Sequence, residues 1–181
     1  MNFCSHCGNS PLVFAIPNGD HLPRYQCTNC NRIHYENPRM IVGCLPVWEN
    51  KVLVARRGIE PRKDLWNLPC GFLESEESVE SGAVREVFEE TGAQVELIRL
   101  HTVYNLLHEH QVYLIFLAQM KSPHFETTPE STQIELFAEN EVPWNEMAFT
   151  SSSFALQRFF SDRKTGQTAV HFGTYDRLKR Q

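Results

Sequence analysis

Apolar and polar positions change period several times along this chain, and the changes mark out its elements. Residues 40–48 (MIVGCLPVW) are almost wholly apolar, and 51–56 (KVLVAR) follow the polar pair Glu49-Asn50. Two β-rich runs divided by two turn-forming residues predict a hairpin. Residues 94–104 and 111–119 read as further strands joined by LLHEH, and 133–138 as another short strand. Between the hairpin and these strands, residues 78–92 read as a helix. Ser78 suits the N-cap, no proline interrupts the run, and Gly92 suits the left-handed position after the last turn. Val84, Val87 and Phe88 fall on one side of it and can face a core. After Pro143 an amphipathic helix over 151–162 directs Phe154, Phe159 and Phe160 toward a core. The tail from Arg163 is basic and carries HFGTY, which by itself says little. Strands interleaved with two helices predict an α/β sandwich with a mixed sheet. No internal repeat or low-complexity tract is present.

In the first helix Glu86, Glu89 and Glu90 are related by three and four residues, so their carboxylates project from one arc. Like charges one turn apart repel by a few tenths of a kcal/mol per pair. A cation between them reverses the sign, and a hard ion such as Mg²⁺ sits among carboxylates and substrate phosphates. Gly82 and Ala83, about one turn earlier, would leave room for phosphate groups. The alternative is a solvated acidic face. It does not explain Gly71, Glu77, Arg85 and Gly92 at fixed offsets from the acids.

The stretch GFLESEESVESGAVREVFEETGA (71–93) resembles the Nudix box, G-x5-E-x7-R-E-U-x-E-E-x-G-U with U a bulky aliphatic. Every fixed position matches and Val87 fills the first U; only Ala93 departs, at the last. The preceding Leu65-Trp66-Asn67-Leu68-Pro69 is similar to the family's lead-in. The resemblance implies a Nudix α/β/α sandwich that hydrolyses a nucleoside diphosphate linked to another group. It implies Glu86 and Glu90 as main ligands for Mg²⁺ or Mn²⁺, and Glu89 as a further ligand or the general base. Arg85 and Glu77 would orient these groups, and the backbone carbonyl of Cys70 would be another ligand. Glu130, in PESTQIELF, is the second candidate for the base, since relatives place an acid there; a solvated loop acid is its alternative. His108 and His110 are either ligands or parts of a polar turn. Cys44 and Cys70 read as small buried residues rather than nucleophiles.

Cys4-x2-Cys7 and Cys27-x2-Cys30, nineteen residues apart, have the paired spacing of a tetrahedral zinc ribbon. The turn-rich segment between them is too short for a core of its own, and a structural Zn²⁺ would stand in for one. Disulfides are the first alternative. The N-terminal MNFCSHCGNS has no apolar signal core, which points to a cytoplasmic protein with reduced thiols. A redox CxxC is the second, but it usually opens a helix, whereas Cys7-Gly8 reads as a turn.

The 181 residues suffice for one ordinary domain and a small module, placed at 1–37 for the ribbon and 38–181 for the Nudix domain. No apolar run is long enough to span a membrane. The net charge of -5 argues against a bulk nucleic-acid binder. The partner is expected to be a small dinucleotide or nucleoside diphosphate, its charge met locally by the metal and by Arg56 and Arg57; a homodimer is left open. Trp66, Phe72 and Tyr104 are candidates for stacking an adenine ring, with core positions as the alternative.

A ribbon fused to a Nudix domain is similar to the NADH pyrophosphatase group. That group carries a Ser-Gln-Pro-Trp-Pro-Phe-Pro motif after the box, which this chain lacks. Across nearly all its length, through NPRMIVGC, PESTQIELFAENEVP, AFTSSSF and VHFGT, the chain more closely resembles plant-type ribbon-bearing hydrolases. That resemblance implies FAD or ADP-ribose as substrate. The contrasting class is a non-catalytic nucleotide sensor, against which the intact Glu86, Glu89 and Glu90 count.

Overall fold

Turns, not a core, hold the first residues of this chain together. A computed structural model describes residues 1–176, in two compact units, the first Met1–Asn37 and the second beginning at Pro38. In the first unit, β1 (Val13–Ala15), β2 (Arg24–Gln26) and β3 (Ile33–His34) form a small antiparallel sheet. Phe14 and Tyr25 pair their rings across it at 4.8 Å, yet Phe14 and Ile16 stay largely exposed. The loops outside the sheet carry the cysteines.

The second unit begins with β4 (Arg39–Trp48) and β5 (Lys51–Arg57), a hairpin turned at Glu49 and Asn50 with Glu49 left-handed at φ 54°. Two short strands follow, β6 (Trp66–Asn67) on β5 and β7 (Cys70–Phe72) on β4, then helix α1 (Val79–Thr91). Next come β8 (Val95–Leu106), β9 (Gln111–Met120), β10 (Ser131–Phe137), helix α2 (Thr150–Thr165) and β11 (His171–Tyr175). The strand order is β10-β5-β4-β9-β8-β11, with β4–β9 and β8–β11 parallel and the remaining pairs antiparallel. Each face of this mixed sheet is covered by one helix, which gives the α/β/α sandwich.

The continuous apolar run of β4 follows from that burial on both faces. Val42 and Cys44 pack with Ala83 and Val87 of α1, while Ile41, Leu45 and Val47 join Leu156, Phe159 and Phe160 of α2. Among the described residues no helix is long and apolar enough to cross a membrane.

Three details differ from expectation. Phe88 is 55% exposed, because α1 meets the sheet along Ala83, Glu86 and Val87 instead. Gly82 and Ala83 leave no space for phosphates: a Cβ on Gly82 would lie 2.8–3.0 Å from Glu77, Val42 and Leu73, and Ala83 is wholly buried. They are small so that the helix can approach the sheet. The HFGTY segment forms β11, a strand that exists only because it adds in parallel to the edge of β8. Phe159 and Phe160 are core residues as expected, and Phe154 packs at the core's margin.

Gly43 lets the segment before the box come close. A Cβ there would overlap the Pro69 carbonyl and the Cys70 side chain. Gly43→Ala is therefore expected to cost about 1–3 kcal/mol, the usual cost of overpacking a tight site. Urea denaturation against the parent checks this, and an unchanged midpoint would contradict the contact.

Candidate active site

Helix α1 sets the geometry. The Ser78 hydroxyl accepts from the Ser81 N–H at 3.1 Å, and Gly92 closes the other end at φ 65° with its N–H on the Phe88 carbonyl. This phase turns Glu86 and Glu90 inward and leaves Glu89 largely exposed. Gly71 in β7 makes the inward position possible, since a Cβ there would overlap the Glu86 carboxylate.

Arg85 is the hub, and its five N–H donors all have acceptors. Nε and Nη2 grip Glu77 at 3.0 and 2.7 Å, Nη1 reaches Glu86 at 2.8 Å and Glu89 at 2.9 Å, and Nη2 also meets the Phe72 carbonyl at 3.2 Å. Arg85 first, and the Glu74 N–H second, hold the Glu77 carboxyl down at about 2. Glu77 and Arg85 thus tie the helix to the loop before it.

Cys70 presents its backbone to the acids. Ladder bonds from Cys44 N–H to Pro69 O and from Leu73 N–H to Met40 O fall on alternate residues of the β4–β7 pair. Cys70, opposite Gly43, lies between them, so its N–H and C=O point away from β4. That N–H acts to lower the Glu90 carboxyl. The thiols of Cys70 and Cys44 are both buried; burial pushes Cys44 to about 12 and Cys70 higher still, so neither is a nucleophile at neutral pH.

Burial raises the Glu86 carboxyl, with Arg85 opposing. Burial, then the neighbouring charge of Glu86, pushes Glu90 up to about 8, with Arg57 opposing. Glu130 adds to the negative potential at both, and the Gly58 N–H on the Glu130 carbonyl at 2.7 Å brings its loop to the end of β5. Among the described residues, only the ribbon cysteines and a His101–Asp162–His171 group bring three or more ligand atoms within 4.8 Å of one another. In the acidic cluster Arg85 draws Glu86 and Glu89 to itself.

A pH dependence follows. Because the Glu90 pKa is raised on folding, the folded state keeps a proton that the unfolded chain has lost between pH 4.5 and about 8. Stability without divalent ions falls as pH rises through that window, by at most about 1.4 kcal/mol per pH unit. Glu77 titrates far below it, and the depressed His101 acts in the opposite sense only below its usual 6.5. In Mg²⁺-free buffer between pH 6.5 and 8 the parent's urea midpoint should therefore fall relative to that of Glu90→Gln, the comparison cancelling the Cys7 thiol, whose lowered pKa acts in the opposite sense there and is common to both. A difference between the two that does not change with pH would remove Glu90 as the titrating group.

The substrate candidates are divided by the core. Trp66 and Tyr104 are buried, Trp66 edge-on to Phe137 at 5.1 Å and Tyr104 against Phe154 at 5.2 Å, so neither ring offers an open face. Phe72 is half exposed with the Arg39 guanidinium 5.1 Å above its ring. Arg56 lies on the α2 side of β5 with Val52 and Val54, over Trp66 and donating to the Asp64 carbonyl at 2.8 Å. Arg57 is the arginine whose charge reaches Glu90. It is braced by the Pro61 carbonyl at 2.8 Å and the Phe149 ring at 5.2 Å. Two-residue alternation from Leu53 and Ala55 was the signal that separates it from Arg56. His108 and His110 form a turn, with the left-handed His110 donating its N–H to Leu107.

In the ribbon, the four thiols lie within 4.8 Å of one another, with Cys4–Cys30 at 3.7 Å and Cys7–Cys27 at 3.6 Å. Zn–S bonds of about 2.3 Å in a tetrahedron place sulfurs about 3.8 Å apart. Each knuckle repeats one pattern: the Gly8 N–H bonds the Cys4 carbonyl, the Asn31 N–H bonds the Cys27 carbonyl, and Gly8 and Asn31 are left-handed at φ 72° and 59°. Hydrogen bonds from the Asn9 backbone and the Asn29 side chain bring the Cys7 thiol down to about 6, which favours the thiolate.

The NUDIX domain model matches residues 37–157, and the Nudix N-terminal model matches residues 2–36. The chain belongs to the NUDIX family. Over 153 residues it is 31% identical to the NAD-capped RNA hydrolase NudC of Vibrio parahaemolyticus, a match covering 79% of this chain and 53% of that protein. The chain thus spans about half the length of that relative. It is 29% identical over 113 residues to the ADP-ribose pyrophosphatase of Methanocaldococcus jannaschii, covering 60% and 67% of the two. The crystal structure of a NUDIX hydrolase from Nitrosomonas europaea superposes with a TM-score of 0.92 at 46% identity, covering 97% of this chain and 99% of that one.

Proposed function

We propose that this protein hydrolyses the diphosphate bond of a nucleoside diphosphate joined to a second group, with FAD or ADP-ribose as the substrates. The observation that carries the reading is the pair Glu86 and Glu90, turned inward beside the Cys70 backbone, with Glu86 held by Arg85 at 2.8 Å. An all-oxygen donor set of this kind fits Mg²⁺ or Mn²⁺, with Glu86, Glu90 and the Cys70 carbonyl as ligands and Glu89 as a further one. Bound divalent ions neutralise diphosphate charge and lower the pKa of the attacking water. Arg85 and Glu77 keep the carboxylates oriented. Arg57, braced on two sides, supplies fixed positive charge for a phosphate, and Phe72 an open ring for a base. Glu130 is favoured over Glu89 as the general base, because one Glu89 oxygen is engaged by Arg85. Cys4, Cys7, Cys27 and Cys30 hold a structural Zn²⁺, and reduced thiols fit a cytoplasmic location.

The absent seven-residue motif and the likeness to an ADP-ribose pyrophosphatase support ADP-ribose and FAD. The likeness to NudC supports NADH or an NAD cap as the second reading. A panel of FAD, ADP-ribose, NADH and NAD-capped oligonucleotide with Mg²⁺ or Mn²⁺ separates them. The expected products are AMP with FMN or with ribose 5-phosphate, and ¹⁸O water locates the attacked phosphorus. Rapid NADH cleavage with FAD and ADP-ribose inert would move the assignment to the second reading. Tight binding of all without hydrolysis would make the protein a sensor.

A further inference from the structure

On the opposite face of the sheet from α1, three side chains from three elements meet. His101 comes from β8, Asp162 from the last turns of α2 and His171 from the first residue of β11, with one ligand atom of each within 4.8 Å of the others. His101 is where it is because of a bulge: Leu100 pairs with Phe116 and Thr102 with Ile115, so His101 is an extra residue in the β8–β9 ladder. Bulges re-aim side chains in this way. The imidazole is completely buried, and its Nε2 lies 3.0 Å from the Ala155 carbonyl. A carbonyl accepts only, so Nε2 carries the hydrogen and Nδ1 presents a lone pair. That Nδ1 has no hydrogen-bond partner among the described residues. An unpartnered buried lone pair costs on the order of 1–3 kcal/mol, which calls for an occupant.

We propose that His101 Nδ1, Asp162 and His171 form a second metal site, for a borderline divalent ion of the zinc class. Two imidazole nitrogens and one carboxylate with a position left open is a common zinc donor set, whereas Mg²⁺ prefers oxygen alone. The supporting shell is present. His101 donates its other N–H to a backbone carbonyl, the usual way a ligating histidine is oriented. Arg99 donates to Asp162 Oδ2 at 3.3 Å and to the Ala169 carbonyl at 2.6 Å, bracing both the carboxylate and the approach to β11. His171 Nε2 lies 2.9 Å from both Asp162 oxygens. Binding replaces that shared hydrogen with the ion, releasing any proton His171 holds there, and links the edge strand to α2 and β8. The His171 ring is only partly buried, so it can turn to complete the set.

The test uses the full chain carrying Glu86→Gln and Glu90→Gln, so that the acidic cluster does not compete for the ion. This protein and the same protein with His171→Ala are equilibrated with buffered free zinc, and their metal is counted by mass spectrometry. One more zinc per chain is expected in the first, with a zinc-dependent rise in Tm larger than that of the second, which keeps only the ribbon's share. Asp162→Asn, which keeps the shape and removes the charge, should also lose the extra ion, and Mg²⁺ should not replace it. Equal zinc content with and without His171, or an extra zinc that survives both substitutions, overturns the proposal.

Discussion

Replacing either inward carboxylate with its amide is expected to lower hydrolysis on the order of 10²- to 10⁴-fold without unfolding the protein. Glu90→Gln is the cleaner of the two. The carboxyl that glutamine replaces is held at about 8, so the amide imitates the neutral form that the ion-free fold favours at pH 7. Stability should therefore be retained while the site loses one charge for a divalent ion. Glu86→Gln removes the charged partner of Arg85 Nη1 at 2.8 Å, but Arg85 keeps Glu77 and Glu89, so the helix stays tied to its loop. The measurement is kcat/KM against Mg²⁺ concentration, beside a thermal melt. Near-normal turnover in both variants at ordinary Mg²⁺ would sink the assignment of this pair as ligands.

Cys27→Ser is expected to lower zinc content by about one ion per chain and to release residues 1–37 to protease. The reason is quantitative: binding of a structural zinc contributes apparent free energies of about 10–16 kcal/mol. A three-stranded sheet with Phe14 and Ile16 exposed has little core to offset its loss. Elemental analysis of tag-free protein and limited proteolysis report the two effects separately. Hydrolysis should change little, because no ribbon residue belongs to the acidic cluster. Unchanged zinc content in Cys27→Ser, or a zinc-free parent with a protease-resistant N-terminus, would contradict the site.

Residues close in sequence made much of this protein legible. The caps Ser78 and Gly92, the hairpin at Glu49-Asn50, the apolar run of β4 and the two CxxC knuckles each depend on interactions within a few residues. A single chain segment carries their full signature. The same holds for the relation of Arg85 to Glu77, Glu86 and Glu89, since a helix and its preceding loop fix those offsets.

What failed to show in the sequence depends on distant partners. The outward turn of Phe88 and the packing role of Gly82 are set by where the sheet surface lies. Trp66 and Tyr104 became core residues because α2 and β10 close over them. Arg57 rather than Arg56 reaches the acids because strand alternation sorts neighbours onto opposite faces. β11 and the meeting of His101 with Asp162 and His171 have no local signal at all, since a parallel edge pairing and a bulge bring β8 to residues more than sixty positions later. The sequence alone determined the chemistry-bearing helix and the metal-binding knuckles, because helical period and turn geometry are local. Only the tertiary structure decided which side chains are buried and which face one another, because burial and long-range register are properties of the assembled sheet.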